Sequence, residues 1–260
     1  MNEARSATVA SRRTMRQRYP WLLPGGLLLL LTFLTVNVLA HGPLIAADRR
    51  IHKTVHRTAS SADWRWLKAG PATPARILID LGNIRFAFPI LLVIAGYAAY
   101  RRRSPRPLIT AVTGIVLILA IVVSAKILVG RPNPGYHQLH PHQLLGAFPS
   151  GHATTACVCY ILAVLVVTAP ESRRRQVGLR AASVLGVLVG IAMIWCGLHW
   201  FTDVIAGFAL ASLIVPFTVW LTCRDGGPEG PGQESTGETR TLSASTEPRA
   251  PDSTACQPTR

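Results

Sequence analysis

Six apolar runs, separated by segments dense in charge, glycine or proline, set the frame of this 260-residue chain. The first, residues 21–40, is almost free of polar groups and long enough to cross a hydrocarbon core of about 30 Å. The second covers 86–100 and admits a start as early as Ile77. The third, fourth, fifth and sixth cover 108–126, 153–168, 177–198 and 204–221. Within the fifth, Gly186 and Gly190 form a Gly-x-x-x-Gly pair, a spacing that allows close helix packing. Runs of this length predict an all-α integral membrane protein, a bundle of six transmembrane helices spanning 21–222.

Three segments break the pattern. Residues 1–20 are polar, with Arg5, Arg12, Arg13, Arg16 and Arg18, and predict a basic tail ahead of the membrane domain. A secretory signal is the rival reading of this end. Val38-Leu39-Ala40 suits a cleavage site, whereas the apolar run exceeds a typical signal core and favours a retained helix. Residues 41–83 mix Asp48, Arg49, Arg50, Lys53, Arg57, Lys68 and Arg76 with Ile51, Val55, Trp64, Trp66 and Leu67. An amphipathic segment lying on the membrane and an ordinary connecting loop are both open here. Residues 223–260 carry Gly, Pro, Ser, Thr and Glu with almost no large apolar side chains. They predict a disordered tail, because too little surface can be buried to offset ordering entropy.

Charge then orients the bundle. A formal net charge of +15 could indicate nucleic acid, but the arginine clusters abut the apolar runs, as cytoplasmic membrane loops do. With six spans, the N-terminal arginines, the 101–106 cluster and the 173–180 cluster fall on one side, predicted to be the cytoplasm, together with both termini. The expected location is the plasma membrane, multi-pass, with no nucleic-acid partner. The five cysteines form no disulfide framework and read as packing or incidental residues. The orientation places Lys126, the 130–149 loop, His152, His199 and Asp203 together on the extracytoplasmic side.

Those residues carry the candidate chemistry. His199 and Asp203 stand four apart at the entrance to the sixth run. A neutral imidazole attacks phosphorus through one nitrogen while the other donates to a carboxylate, which fixes the tautomer and stabilises the developing cation. An interfacial His beside a helix-capping Asp is the plainer alternative. In Phe148-Pro149-Ser150-Gly151-His152, Ser150 and Gly151 open a helix and present N–H groups and a hydroxyl to an anion. His152 is then placed to protonate a leaving oxygen. A plain N-cap explains the Ser but does not require the His. Lys126 adds a cation for phosphate oxygens, or simply snorkels to the interface.

Lys126, Phe-Pro-Ser-Gly-His at 148–152, and His199 with Asp203 ahead of Val204-Ile205-Ala206-Gly207 resemble the type 2 phosphatidic acid phosphatase superfamily over roughly residues 40–222. That group includes lipid phosphate phosphatases and polyprenyl diphosphate phosphatases, and its membrane branch has six helices. The resemblance implies His199 as the nucleophile forming a phosphohistidine, Asp203 orienting it, and His152 protonating the leaving group. It implies Lys126, Ser150 and Gly151 on the phosphoryl oxygens, with no metal and no cofactor. Two motif arginines are replaced. Asn133-Pro134 stands where the first motif has Arg-Pro, and Ala192-Met193 where the third has Ser-Arg. Arg131 is expected to supply a guanidinium from the same loop as the first vacancy. Arg49 or Lys68, from the 41–83 segment, are the expected substitutes for the second. One lost donor to a developing oxyanion costs about 10²–10³ in rate.

The expected activity is hydrolysis of a lipid phosphomonoester or diphosphate at the outer leaflet, with polyprenyl diphosphate, phosphatidate or phosphatidylglycerol phosphate as substrate. Two alternatives stand beside it: phosphoryl or headgroup transfer to an acceptor alcohol, and a catalytically weak lipid-binding pseudophosphatase. Oligomeric state is not readable from these patterns.

Overall fold

A computed structural model describes residues 22–61, 67, 73–134 and 145–224. The expected basic tail at 1–20 and the residues 225–260 of the expected disordered tail lie outside the described residues, as do Trp64, Trp66 and Lys68.

Among the described residues eight helices follow in order: α1 Leu22–Leu39, α2 Pro43–Ser60, α3 Pro74–Gly82, α4 Ile84–Arg102, α5 Arg106–Val129, α6 Gly151–Val167, α7 Arg173–Trp195 and α8 Phe201–Arg224. Six of them match the six apolar runs. Five (α1, α4, α5, α7 and α8) are long and apolar enough to cross a membrane; α6, with 17 residues, falls just short of their length. The polar tail expected from residue 223 begins later, because α8 runs to Arg224.

The second run does not extend back to Ile77 as one helix. Asn83 is extended at φ −74° and ψ 139° and separates α3 from α4, its side chain accepting the Arg85 N–H at 3.0 Å. An Asn at that position ends one helix and caps the next. The described part of 41–83 is helical, as α2 and α3, and α2 has the two-faced character of the amphipathic reading and not that of a plain loop. Helix α2 exposes Arg49, Arg50, Lys53 and Arg57 while half-burying Ile51 and Val55. It packs on α1, α7 and α8.

Helix α6 is the hub, in contact with α3, α4, α5, α7 and α8. Its first ten residues include a buried run from Ala153 to Cys159, and farther along Leu162 is fully buried. Small side chains make that possible. A methyl group at Gly186 of α7 would sit 2.3 Å from Cys157 Sγ, and one at Gly190 would sit 2.6 Å from Phe208 of α8. The Gly-x-x-x-Gly pair thus serves two different neighbours: one glycine admits α6, the other admits α8. Outward-facing side chains are large and apolar, among them Leu29, Val93, Tyr100, Leu128 and Val184, as expected for surfaces in contact with lipid tails.

At one end of the bundle Arg101 and Arg102 close α4, and Arg173 to Arg175 open α7. Thr110 and Thr222 meet at 3.2 Å on this same side, tying the start of α5 to the end of α8. The chemistry-bearing residues lie at the other end.

Candidate active site

Helix α5 ends at Gly130, whose φ of 57° suits glycine and turns the chain sharply. Just before that turn, Lys126 donates to the carbonyls of Gly146 at 2.6 Å and Ala147 at 3.4 Å. The returning loop lies tight on the helix end: Ala147 N–H donates to Arg131 O at 2.6 Å, and a methyl at Gly146 would be 2.8 Å from Arg131 N. A side chain on Gly151 would lie 3.6 Å from Lys126 Cε, so the Lys126 stem runs beside the start of α6.

The start of α6 is capped. Ser150 Oγ accepts the Ala153 N–H at 3.5 Å, Ser150 is fully buried, and its own N–H donates to Asp203 O at 3.0 Å. Gly151 and His152 occupy the first two helical positions, where N–H groups have no intrahelical acceptor.

His199 sits in the turn between α7 and α8, 6% exposed, with Nδ1 3.4 Å from Asp203 Oδ2. Asp203 is fully buried and carries three jobs. Its Oδ2 also accepts the Trp200 N–H at 3.1 Å, closing the first turn of α8, and its Oδ1 accepts from Arg131 at 2.6 Å. Burial holds the His199 imidazole below its ordinary pKa; Asp203 opposes this shift, while Lys126 and Arg131 add to it.

Lys126, Gly151, His152 and His199 open onto one cavity of about 620 Å³. Ile84, Ile118, Leu119, Val122 and Val123 give it an apolar wall from α4 and α5. One pocket therefore joins two imidazoles, an ammonium and free helix N–H groups to a surface suited to hydrocarbon. Asn133 and Met193 also line it, so the two positions at which arginine was missed contribute neutral groups to the wall.

Three site expectations need correction. Arg131 does not reach this cavity. It is 6% exposed and bound by Asp203, by the Thr202 hydroxyl at 2.7 Å and by Asp48 Oδ2 at 2.7 Å, with its guanidinium 5.1 Å from the Trp200 ring centre. Two carboxylates outcompete a cavity for a buried guanidinium, since pairing is what offsets its desolvation. Nor does Ser150 line the cavity: it is fully buried, and its hydroxyl oxygen accepts the cap N–H. Arg49, expected to stand in for Met193, is exposed on α2 and is not part of the cavity wall.

Asp48 was not singled out by sequence reasoning. It is 1% exposed, accepts the Thr202 N–H at 3.0 Å and the Thr202 hydroxyl, and so caps α8 from a different helix. Trp200, at the capping position itself, has no side-chain oxygen to do this. Its indole N–H instead holds the Pro132 carbonyl at 2.9 Å. The available signal was faint: Asp48 stands alone as an acid among arginines and lysines in 41–62.

Comparison with known proteins fits this geometry. The model of the PAP2 superfamily matches residues 107–225. Phosphatidylglycerophosphatase B of Bacillus subtilis is 33% identical over 141 residues, 53% of this chain and 68% of the relative. An acid phosphatase of Zymomonas mobilis is 41% identical over 70 residues, which is 26% of this chain and only 22% of that protein. The crystal structure of a transmembrane PAP2-type phosphatidylglycerolphosphate phosphatase from Bacillus subtilis superimposes with a TM-score of 0.64. At 24% identity it covers 77% of this chain and 96% of the other, and supports the fold.

Proposed function

The chain belongs to the PAP2 superfamily, and from that premise we propose that it is an integral membrane phosphatase hydrolysing a lipid phosphomonoester or diphosphate. The observation that carries this reading is the shared cavity: a buried His–Asp pair, a second His and a Lys converge beside an apolar wall. In the proposed sequence, Asp203 holds the Nδ1 proton of His199 and the free Nε2 attacks phosphorus. The phosphorus–oxygen bond to the lipid breaks as His152 donates a proton to the departing oxygen. Water then attacks the phosphohistidine, giving its proton to His152, and inorganic phosphate leaves with His199 restored. Lys126 and the N–H groups of Gly151 and His152 stabilise the phosphoryl oxygens. The site end faces the exterior and the arginine-rich end the cytoplasm, by the charge asymmetry of the loops.

Substrates of the proposed class are phosphatidylglycerol phosphate, phosphatidate and polyprenyl diphosphate, the first favoured by the name of the 33% identical relative. The test is phosphate release from these three by detergent-purified protein, with and without an acceptor alcohol. Inorganic phosphate as the sole product is expected. A phosphorylated acceptor in its place identifies a transferase. No turnover of any of the three supports the pseudophosphatase that Asn133 and Met193 on the cavity wall would suit.

A pH profile follows from His199. Its lowered pKa keeps the attacking imidazole neutral through the neutral range, and the competent form is lost only as pH falls through the lowered value. The acid limb of kcat/KM is therefore expected below the ordinary imidazole value of about 6.5. In Asp203→Asn, which removes the influence that raises the pKa, the limb should move lower still. A wild-type limb at or above that value contradicts the assignment.

A further inference from the structure

We propose that Arg85, on the first turn of α4, is the guanidinium that grips the substrate's phosphate, a role resting on the phosphatase reading above. The argument begins with charge. Asp48, Asp203 and Arg131 form a closed bridge carrying one net negative charge, which Lys126 cancels. A phosphomonoester brings up to two negative charges into a cavity whose remaining nearby groups are the two imidazoles, of which His152 carries the one proton it later donates, an amide and a thioether. Binding such an anion at an apolar wall needs a further cation.

Among the described residues, Lys126 and Arg85 are the two Lys or Arg side chains lining the cavity. They differ in what they already hold. The Lys126 ammonium donates to two carbonyls, at 2.6 and 3.4 Å. No ion pair or side-chain hydrogen bond engages the Arg85 guanidinium among the described residues. Its donors are therefore open, and a planar fork of N–H groups matches two phosphate oxygens.

The backbone beneath Arg85 is fixed relative to the chemistry. Asn83 Oδ1 accepts the Arg85 N–H at 3.0 Å. A methyl on Gly82 would lie 3.0 Å from His152 O and 3.3 Å from His152 Cβ, so the turn that launches α4 is pressed against the His152 backbone. The side chain is exposed, at the rim of the cavity and next to Ile84 of the apolar wall. That position suits a headgroup clamp: phosphate between Arg85 and Lys126, hydrocarbon against α4 and α5. Asn133 and Met193 line the same cavity and bring no charge of their own.

The test compares wild type with Arg85→Ala, Arg85→Lys and Arg76→Ala, the last removing an exposed charge on α3 that is not part of the cavity wall. Two readouts are needed: kcat and KM on phosphatidylglycerol phosphate, and competitive binding of inorganic phosphate or orthovanadate. Arg85→Ala is expected to raise KM and weaken anion binding by about tenfold or more, with kcat falling less and the unfolding midpoint unchanged. Arg85→Lys should recover part of the loss, added guanidinium ion should partly rescue Arg85→Ala, and Arg76→Ala should match wild type. If wild type turns over and Arg85→Ala keeps both KM and anion affinity, the Arg85 assignment falls while the phosphatase reading stands. If wild type releases no phosphate yet binds the anions in an Arg85-dependent way, the clamp stands and the hydrolase reading falls. If wild type neither binds nor hydrolyses, both fall.

Discussion

His199→Ala is expected to lower phosphate release from lipid phosphates by on the order of 10⁴–10⁶-fold, while the protein still folds. The size follows from the proposed covalent step: without the imidazole no phosphohistidine forms, and water must attack phosphorus with only the bound cations and helix N–H groups to assist. The fold should survive because Asp203 does not depend on His199. With the imidazole gone its carboxylate still accepts from Arg131 at 2.6 Å and from the Trp200 N–H at 3.1 Å, so no buried charge is stranded. The weaker 3.4 Å contact to His199 is the one removed. Phosphate release by wild type and variant, beside their unfolding midpoints and vanadate affinities, provides the check. A variant that keeps wild-type turnover ends the nucleophile assignment. One that loses turnover together with its unfolding transition leaves structure, not chemistry, as the role of His199.

The second large effect falls on stability. Asp48→Ala is expected to destabilise by about 2–4 kcal/mol: it removes the charged hydrogen bond to Arg131, about 1.5–3 kcal/mol, and the Thr202 cap, about 1 kcal/mol, while Asp203 still pairs the guanidinium. Asp48 and Arg131 are 1% and 6% exposed, so little solvent is at hand to take over the pairing. Asp48→Asn should cost less, because the amide oxygen can still accept the Thr202 N–H. Replacing both partners, Asp48→Leu with Arg131→Met, should cost less than the sum of the single changes, because the interaction between them is counted in both, yet more than Asp48→Ala alone, because buried Asp203 loses its guanidinium. Unfolding in detergent, followed for the single and double variants, measures each term. Asp48→Ala within about 0.5 kcal/mol of wild type would show the bridge to be incidental. Turnover should fall with stability here, since Arg131 is what holds Asp203 in place behind His199.

Particular residues show how far the primary structure reaches. The long apolar helices were legible because an apolar stretch long enough for a bilayer has few other uses, and α1, α5, α7 and α8 follow the expected runs to within a few residues. His199 and Asp203 were legible because four positions along one turn bring two side chains together without any help from the rest of the fold. Ser150 and His152 were legible as the opening of a helix, although which of the two faces the cavity was not. Asn133 and Met193 were recognisable as substitutions, and both do line the pocket.

The rest depended on partners far apart in the chain. Arg131 is assigned to phosphate by sequence because it lies two positions before the first vacancy, in the same loop. Its true partners lie 72 and 83 residues away, and Asp48 caps a helix 154 residues further on. Arg85 is separated from the His and Lys it accompanies by whole helices. Local pattern decides which segments become helices, because backbone hydrogen bonds and burial of an apolar face are satisfied within a few turns. Which charge meets which is decided when those helices pack, because desolvation makes a buried ion accept whatever opposite charge the tertiary contacts deliver. Packing thus turned the Arg nearest the first vacancy into a brace, and left one on another helix at the mouth of the cavity.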